Sequence, residues 1–342
     1  MTEQNPTVSD VAARAGVAPS TVSNVLNNPQ RVRAETRRRV EQAIDELGFV
    51  RNSAARGLRL GRTDTVGLVL ADLTNSFFVD IARGAQIAAA RSRLKLLIAN
   101  SDTDRDDQDD YLRLFDREQV AGILLTPLDG SIDMARSLQQ HGRPVILLNA
   151  PRREPELCCV MVDEALGGYI ATRHLLDQGA RRLAYVAGLL EYSAIGRRLS
   201  GARRAAAEVG VPLEVVQTPD LQLGSGRQAG RSLLAFGTVD GIVCASDPLA
   251  IGLIDAAGEL GLAVPEDLMI VGYDDNHLAA ESAVPVSSIS QRGGHLAETA
   301  VGLLLEELDH PAKHAHRVIE IPPHLVARRS SLRHPSGTAR IV

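Results

Sequence analysis

Carboxylates, amides and one arginine recur in this sequence at one kind of place, just past a run of apolar residues. Asp72 follows TVGLVLA (65–71), Asn100 follows LKLLIA (94–99), and Asn149 follows PVILL (144–148). Asp163 follows CCVMV (158–162), Asp247 comes two residues after VDGIVCA (239–245), and Asp274 follows LMIVGY (268–273). Phe78 lies near the start of a helical pattern, and Arg198 follows RLAYVA (182–187) and opens another. In an open α/β sheet, ligands bind beyond the carboxyl ends of the strands. Aspartates accept from hydroxyls, arginine donates a fork, and phenylalanine packs on a sugar face. The set suits binding of a hydroxyl-rich molecule. Each aspartate also has a plainer reading as a helix N-cap or turn residue, Asp247 above all because Pro248 and a helix follow it.

Those residues need strands and helices to hold them. Apolar strand runs, with AGILL (121–125) among them, alternate with amphipathic helix patterns near 77–91, 105–118, 131–140, 165–178, 197–209, 226–236, 247–260 and 294–308. Continuous apolar strands with helices between them predict parallel sheets covered on both faces. The run is too long for one mononucleotide-binding unit and fits two doubly wound lobes. A late strand, RVIEIP (317–322), returns to complete them. The predicted body spans 63–342, with lobe 1 at about 63–162 plus 291–316 and lobe 2 at about 163–290 plus 317–342.

Residues 1–49 read differently, as an all-α head. Thr7 N-caps a first helix in a capping box with Asp10. Gly16 permits a tight turn, and Pro19 suits the first turn of a second helix. A third helix runs from about Glu35 to Leu47, closed by Gly48. With Val22, Val25 and Leu26 inward, the second helix exposes Pro19, Ser20, Thr21, Ser23 and Asn24. Short hydrogen-bonding side chains there suit base edges and phosphates, which is the arrangement of a helix-turn-helix. The plainer reading is a three-helix bundle that binds nothing. Residues 50–62 form a linker; the stretch FVRNSAARGLRLGR (49–62) carries arginines and no acid, so alone it makes a marginal helix at best.

Charge separates head from body. Residues 1–62 hold ten arginines and six carboxylates, net +4; the whole chain is −5, so the remainder carries −9. An acidic protein with a basic head remains compatible with a nucleic-acid partner. Tryptophan is absent and aromatics are 3%, which argues against a surface that stacks many bases. The cysteines, Cys158, Cys159 and Cys244, are odd in number and lie in apolar strand runs, as expected of buried thiols in a reducing cytosol. The start, MTEQNPTVSD, shows no secretory signal, and no apolar run reaches membrane-spanning length. Enzyme signatures are weak. GSGRQA (224–229) fits G-x-G-x-x-A but lacks the acidic residue on the next strand, and reads better as a glycine turn at a helix start. His295 and Glu298 read as an exposed helix face. No cofactor and no metal site is expected.

The stretch TVSDVAARAGVAPSTVSNVLNNP, with ETRRRVEQAIDELGF after it, resembles the LacI/GalR family of bacterial transcription regulators. NSAARGLRLGRTDTVGLVLADLTNSFF, GLAVPEDLMIVGYDD and PPHLVARRSS extend the resemblance over essentially the whole chain. It implies a periplasmic-binding-protein-like body behind a helix-turn-helix head. It further implies a repressor controlled by a small effector, acting in the bacterial cytoplasm on the nucleoid. By position, Pro19, Ser20 and Asn24 would read operator bases, and Thr21 and Ser23 would touch phosphates. Thr7, Asn27, Asn52 and Ala55 join the implied DNA-binding set, with Arg56 near phosphates. NSAARGL matches the hinge helix that folds on DNA, and Leu58 the leucine that wedges into the minor groove. Phe78, Asn149, Asp163, Arg198, Asp247 and Asp274 match effector-pocket positions, with Asp72 beside them.

Leu221 falls where purine-binding relatives place an aromatic ring, which favours a sugar over a nucleobase. A nucleoside, another metabolite or a protein co-repressor is the alternative effector, and a non-DNA-binding solute-binding protein the remote one. The family pattern is broken at Ala18 and Arg33, where capping serines are common, and at Arg51 before the hinge. Partners would be pseudo-palindromic duplex DNA and a second copy of the chain, meeting through the helices near 77–91 and 105–118.

Overall fold

The computed structural model describes residues 6–49, 63–128, 132–150, 154–188, 190, 193–235, 237 and 239–333. The chain divides into two compact units, Met1–Thr63 and Asp64–Val342.

In the first unit α1 (Val8–Ala15), α2 (Pro19–Asn27) and α3 (Ala34–Leu47) enclose a small core of Val11, Ala12, Ala15, Val22, Val25, Val40 and Ala43. The Thr7–Asp10 capping box starts α1, and Gly16 ends it at φ 63°, left-handed backbone that glycine adopts without strain. The Arg39 guanidinium donates to the carbonyls of Ala15 and Gly16, at 2.5 and 3.1 Å, tying α3 to the exposed end of α1. Ala18 and Arg33 supply no side-chain cap to α2 and α3.

The second unit is built on two sheets. Chain order runs β1 (Thr65–Leu70), α4 (Ser76–Arg91), β2 (Lys95–Asn100), α5 (Arg105–Arg117), β3 (Ile123–Leu125), α6 (Asp133–Gln140), β4 (Val145–Leu148) and β5 (Cys158–Val162). Then come α7 (Glu164–Asp177), β6 (Leu183–Ala187), α8 (Ser193–Glu208), β7 (Leu213–Gln217), α9 (Leu223–Leu234), β8 (Gly241–Cys244), α10 (Asp247–Glu259), β9 (Met269–Asp274), α11 (His277–Glu281) and β10 (Ser287–Ser290). The tail adds α12 (Gly293–Asp309), β11 (Val318–Ile321) and β12 (His324–Val326). The first sheet has order β11-β5-β4-β3-β1-β2 and the second β12-β10-β9-β8-β6-β7. All pairings are parallel except β10 with β12. Each sheet therefore has a topological switch point, between β1 and β3 and between β6 and β8. β1 is buried on both faces, with Val66, Leu68 and Leu70 in one core and Val69 in the other, whereas the edge strand β2 leaves Leu97 and Ile98 exposed.

The late strand corrects the sequence assignment. Residues 317–342 were expected in lobe 2, yet β11 pairs with β5 in the first sheet, where Ile321 enters the core. Only then does the chain cross to β12. The main chain thus passes between the lobes three times, at Asp163, at Gln291–Arg292 and at 322–323. Three strands escape the apolar pattern. β7 is a half-exposed edge, β12 is short, and β10 is SSIS, whose Ser287 and Ser288 are fully buried. Ser287 Oγ donates to the Arg328 carbonyl, and Ser330 Oγ to that of Ile270, so the tail satisfies a polar core. GSGRQA is also corrected: Gly224 and Gly226 lie inside α9, where Gly226 allows close approach of α10 at Leu249.

α7 and α8 pack unusually closely because Gly168 faces the backbone of Arg198. A Cβ added at Gly168 would lie 1.8 Å from the Arg198 carbonyl oxygen. Gly168→Ala is expected to destabilise by about 1–3 kcal/mol, since backbone must move to admit the methyl. Gly302→Ala on α12 meets nothing within 4 Å and is expected to gain about 0.5–1 kcal/mol. Equal melting temperatures for the two variants would contradict this packing.

Candidate functional site

Both switch points open onto one cavity of about 470 Å³, within the size range of small-molecule sites. Of the residues singled out in the sequence, Asp72, Phe78, Asn149, Arg198, Leu221 and Asp274 line it. Asn75, Thr126 and Gln291, not singled out, line it too. Asp72, Thr126 and Asn149 lie just past β1, β3 and β4, Asp274 ends β9, and Gln291 follows β10.

The floor of this cavity is an ion pair. Arg198 lies in the second turn of α8 and is 6% exposed; Glu164 opens α7 and is fully buried. Arg198 Nε donates to Glu164 Oε2 at 2.7 Å and Nη2 to Oε1 at 3.2 Å. Nη1 donates to the Ala245 carbonyl at 2.8 Å. The guanidinium carbon lies 3.7 Å above the centre of the Tyr273 ring. Tyr273 Oη donates to Glu164 Oε2 at 2.8 Å, and Asn149 Nδ2 to Oε1 at 3.3 Å. Burial alone would raise the Glu164 carboxyl; Arg198, Tyr273 and Asn149 together hold it below its ordinary range. Glu164 was missed in the sequence because its neighbour Asp163 occupies the strand-end position. The fork assigned there to a ligand is therefore taken by Glu164. Arginine has five N–H donors, so some remain for a ligand.

Asp274 supplies acceptors beside this pair. Its Oδ2 accepts from Asn75 Nδ2 at 3.2 Å, a bond from the first lobe to the second, and its Oδ1 accepts from Gln291 Nε2 at 2.5 Å. Gln291 Oε1 is buried with no hydrogen-bond partner among the described residues. Left-handed backbone concentrates at these strand ends: Asn149 has φ 50°, Asp274 φ 98°, and Asp102 and Thr103 φ 49° and 62°. Such strain persists where surrounding structure enforces it and is common at binding sites. Asp72 faces the cavity, although Thr74 N and Oγ1 both donate to its Oδ1 at 2.7 Å. Phe78 is half-buried beside Phe77, ring centres 5.3 Å apart. Leu221 packs over Gly188.

In the head, Pro19, Ser20 and Asn24 are exposed on α2, while Thr21 and Ser23 are half-buried. The Thr7 hydroxyl is engaged with Asp10, accepting from its N–H and donating to its carboxylate at 2.6 Å. Asn27 ends α2, and its side chain lies outside the described residues, as do Asn52, Ala55, Arg56 and Leu58.

Two expected pocket residues do not line the cavity. Asp163 N-caps α7, accepting from Leu166 N at 2.9 Å. Asp247 is fully buried at the start of α10, and its Oδ2 accepts from Asn276 N at 2.8 Å. Asp163 takes the plainer role of a helix N-cap; Asp247 does not, since Ser246 caps α10 and Asp247 instead accepts from the N–H of Asn276 ahead of α11. Burial, then the charge of Asp274, push the Asp247 carboxyl well above its ordinary range. A carboxyl raised on folding stabilises fully in acid and loses that contribution as pH rises through its folded value. Glu164, depressed on folding, has the opposite sign. Asp247→Asn is therefore expected to gain stability over the parent chain as pH rises from about 5 to about 9. Urea unfolding along that range checks it, and parallel curves for the two proteins would show that Asp247 does not hold its proton.

Comparison with known proteins agrees with this architecture. Residues 7–52 match the family described as bacterial regulatory proteins, lacI family, and residues 172–331 match a periplasmic binding protein-like domain. The HTH-type transcriptional repressor PurR of Photobacterium profundum is 30% identical over 328 residues, covering 95% of this chain and 98% of that protein. A Lac repressor dimer bound to operator and the anti-inducer ONPF superposes with TM-score 0.83 at 25% identity, covering 96% of this chain and 100% of the other. The complex of the transcriptional regulator CelR with cellobiose superposes with TM-score 0.70 at 29% identity, covering 95% of this chain and 100% of that one. A helix-turn-helix unit joined to two switch-point lobes around one cavity, with that relatedness along nearly its full length, makes this chain a DNA-binding transcriptional repressor of the lacI family.

Proposed function

We propose that the cavity takes a neutral sugar or sugar derivative and that its occupancy controls operator binding. The observation that carries this reading is the charge balance of the lining. The buried Arg198 guanidinium is already neutralised by Glu164, whereas Asp274, Asp72 and Gln291 Oε1 offer acceptors. Acceptors next to a half-buried phenylalanine fit hydroxyl donors on a ring with an apolar face. Arg105 lines the cavity too, so Asp72, Asp274 and Glu164 exceed Arg198 and Arg105 by a single negative charge, which mildly disfavours a phosphorylated ligand. The CelR relative's complex with cellobiose supports the same class.

The operator contacts follow the family pattern. Pro19, Ser20 and Asn24 face bases, Thr21 and Ser23 face phosphates, and Leu58 acts in the minor groove. Thr7, Asn27, Asn52, Ala55 and Arg56 support them. Two copies of the chain bring two heads to two half-sites in the cytoplasm. Effector binding shifts a population between arrangements of the lobes, and so the stability of the hinge segment on DNA.

Calorimetry against panels of neutral sugars, phosphorylated sugars and nucleosides tests the ligand class. Heat is expected with a neutral sugar, and Phe78→Ala should weaken that binding about tenfold or more through loss of aromatic packing. Heat with nucleosides alone rejects the sugar reading. Operator affinity is expected to fall by several powers of ten between about 50 and about 200 mM salt. Leu58→Ala should weaken operator binding while leaving effector affinity unchanged; loss of both together would refute the separation of the two functions.

A further inference from the structure

At the opposite end of β5 from the cavity lies a cluster that effector binding does not use. Cys158 begins β5, Glu307 sits in the last turn of α12, and His314 and His316 lie on the connection from α12 to β11. The Cys158 thiol is fully buried, and its Sγ is 3.1 Å from His314 Nε2. His314 Nε2 is 3.7 Å from Glu307 Oε2. One ligating atom from each of Cys158, His314 and His316 falls within 4.8 Å of the others. The imidazole rings of His314 and His316 meet edge to face, centres 5.3 Å apart.

Several of these polar atoms lack partners where none should. Glu307 is 6% exposed and the His314 side chain 1%. Glu307 Oε2, His314 Nδ1 and His316 Nδ1 are buried with no hydrogen bond among the described residues. Glu306 Oε1 is 3.3 Å from His314 Nδ1 without hydrogen-bond geometry, and the Glu306 carboxylate is committed to Arg317 at 2.5 and 3.0 Å. Gln139 occupies Glu307 Oε1 only. Buried acceptors left open in this way are costly unless something satisfies them.

We propose that Cys158, His314 and His316 form a binding site for a divalent transition metal of the zinc class, with the Glu307 carboxylate beside it. One thiolate and two imidazoles, with a fourth position for solvent, suit zinc and not magnesium or calcium, which take oxygen. Metal–ligand bonds of zinc length place donors roughly 3.4–3.6 Å apart at tetrahedral angles. The Cys158 Sγ to His314 Nε2 distance of 3.1 Å lies close to that spacing, and all three ligating atoms lie within 4.8 Å of one another, so small side-chain adjustments bring them to one ion. Binding replaces the Cys158 thiol proton, which leaves to solvent, with a sulfur–metal bond. It ties the connection after α12 to the first residue of β5, and so fixes the approach to β11. The site uses no residue of the effector cavity.

Cobalt(II) titration of the full chain, purified without a histidine tag and freed of metal by chelation, tests the assignment. One equivalent per chain is expected to produce a thiolate-to-cobalt charge-transfer band and tetrahedral visible absorption, both abolished by added zinc. Cys158→Ser should remove the charge-transfer band, and His316→Ala should weaken binding at least tenfold. Cys244→Ser, in the other lobe, should leave it unchanged. Circular dichroism establishes that each variant is folded; because His316 lies on a connection, that variant keeps the test decisive should Cys158→Ser unfold. Absence of the band in the parent chain overturns the proposal. So does a band that survives in folded Cys158→Ser, or equal affinity in folded His316→Ala.

Discussion

The cavity depends on a buried charge pair that neither partner could sustain alone. A carboxylate sealed from water is expensive, and so is a guanidinium, yet Glu164 and Arg198 meet through two bonds with Tyr273 and Asn149 completing the carboxylate's shell. Such a pair adds little net stability over a hydrophobic replacement; its value is fixed geometry. It holds the start of α7 against α8, and Gly168 permits the approach. Because Asn149 belongs to the first lobe and Glu164 to an element of the second, the network also spans the cleft. Asn75 to Asp274 makes a second bridge of the same kind. The bonds that shape the pocket thus also join the two lobes across the cleft.

That arrangement follows from the strand order. Two copies of one winding pattern each open a crevice at the switch point, and three passages of the main chain keep the crevices facing. Gln291 sits on one passage and Asp163 on another. Residues at a passage sense both lobes, so Gln291, with its bond to Asp274 and an open carbonyl oxygen, is well placed to register a ligand. The left-handed backbone at Asn149 and Asp274 points to the same conclusion from local geometry.

Much of this was legible in the sequence, and for identifiable reasons. Apolar runs mark buried parallel strands, so the central strands of both sheets and the helices between them fell within a few residues of their expected places. The head was equally clear, since Thr7, Gly16 and Pro19 punctuate its helices with local chemistry. What failed was non-local. β10 is serine-rich, and its burial makes sense only once the tail around Arg328 and Ser330 satisfies it. β11 joined the first sheet because pairing partners are not encoded in periodicity. At the site, strand-end position favoured Asp163 and Asp247, which turned out to cap or seal helix starts. Glu164, one residue further, carries the interaction that matters, because a helical glutamate beside an aspartate looks like an ordinary first-turn acid. Arg198 is marked by its position, but the carboxylate that pairs with it is not.

The most direct measurement is a double-mutant cycle on the ion pair, with Arg198→Met, Glu164→Gln and the combination compared by urea unfolding. If the pair organises the cavity floor as described, each single change strands a buried charged group and costs about 3–5 kcal/mol, while the double change, with no charge left to strand, costs far less than their sum. Strict additivity, with the double variant losing the full sum, would show that Glu164 and Arg198 act independently and would contradict the account.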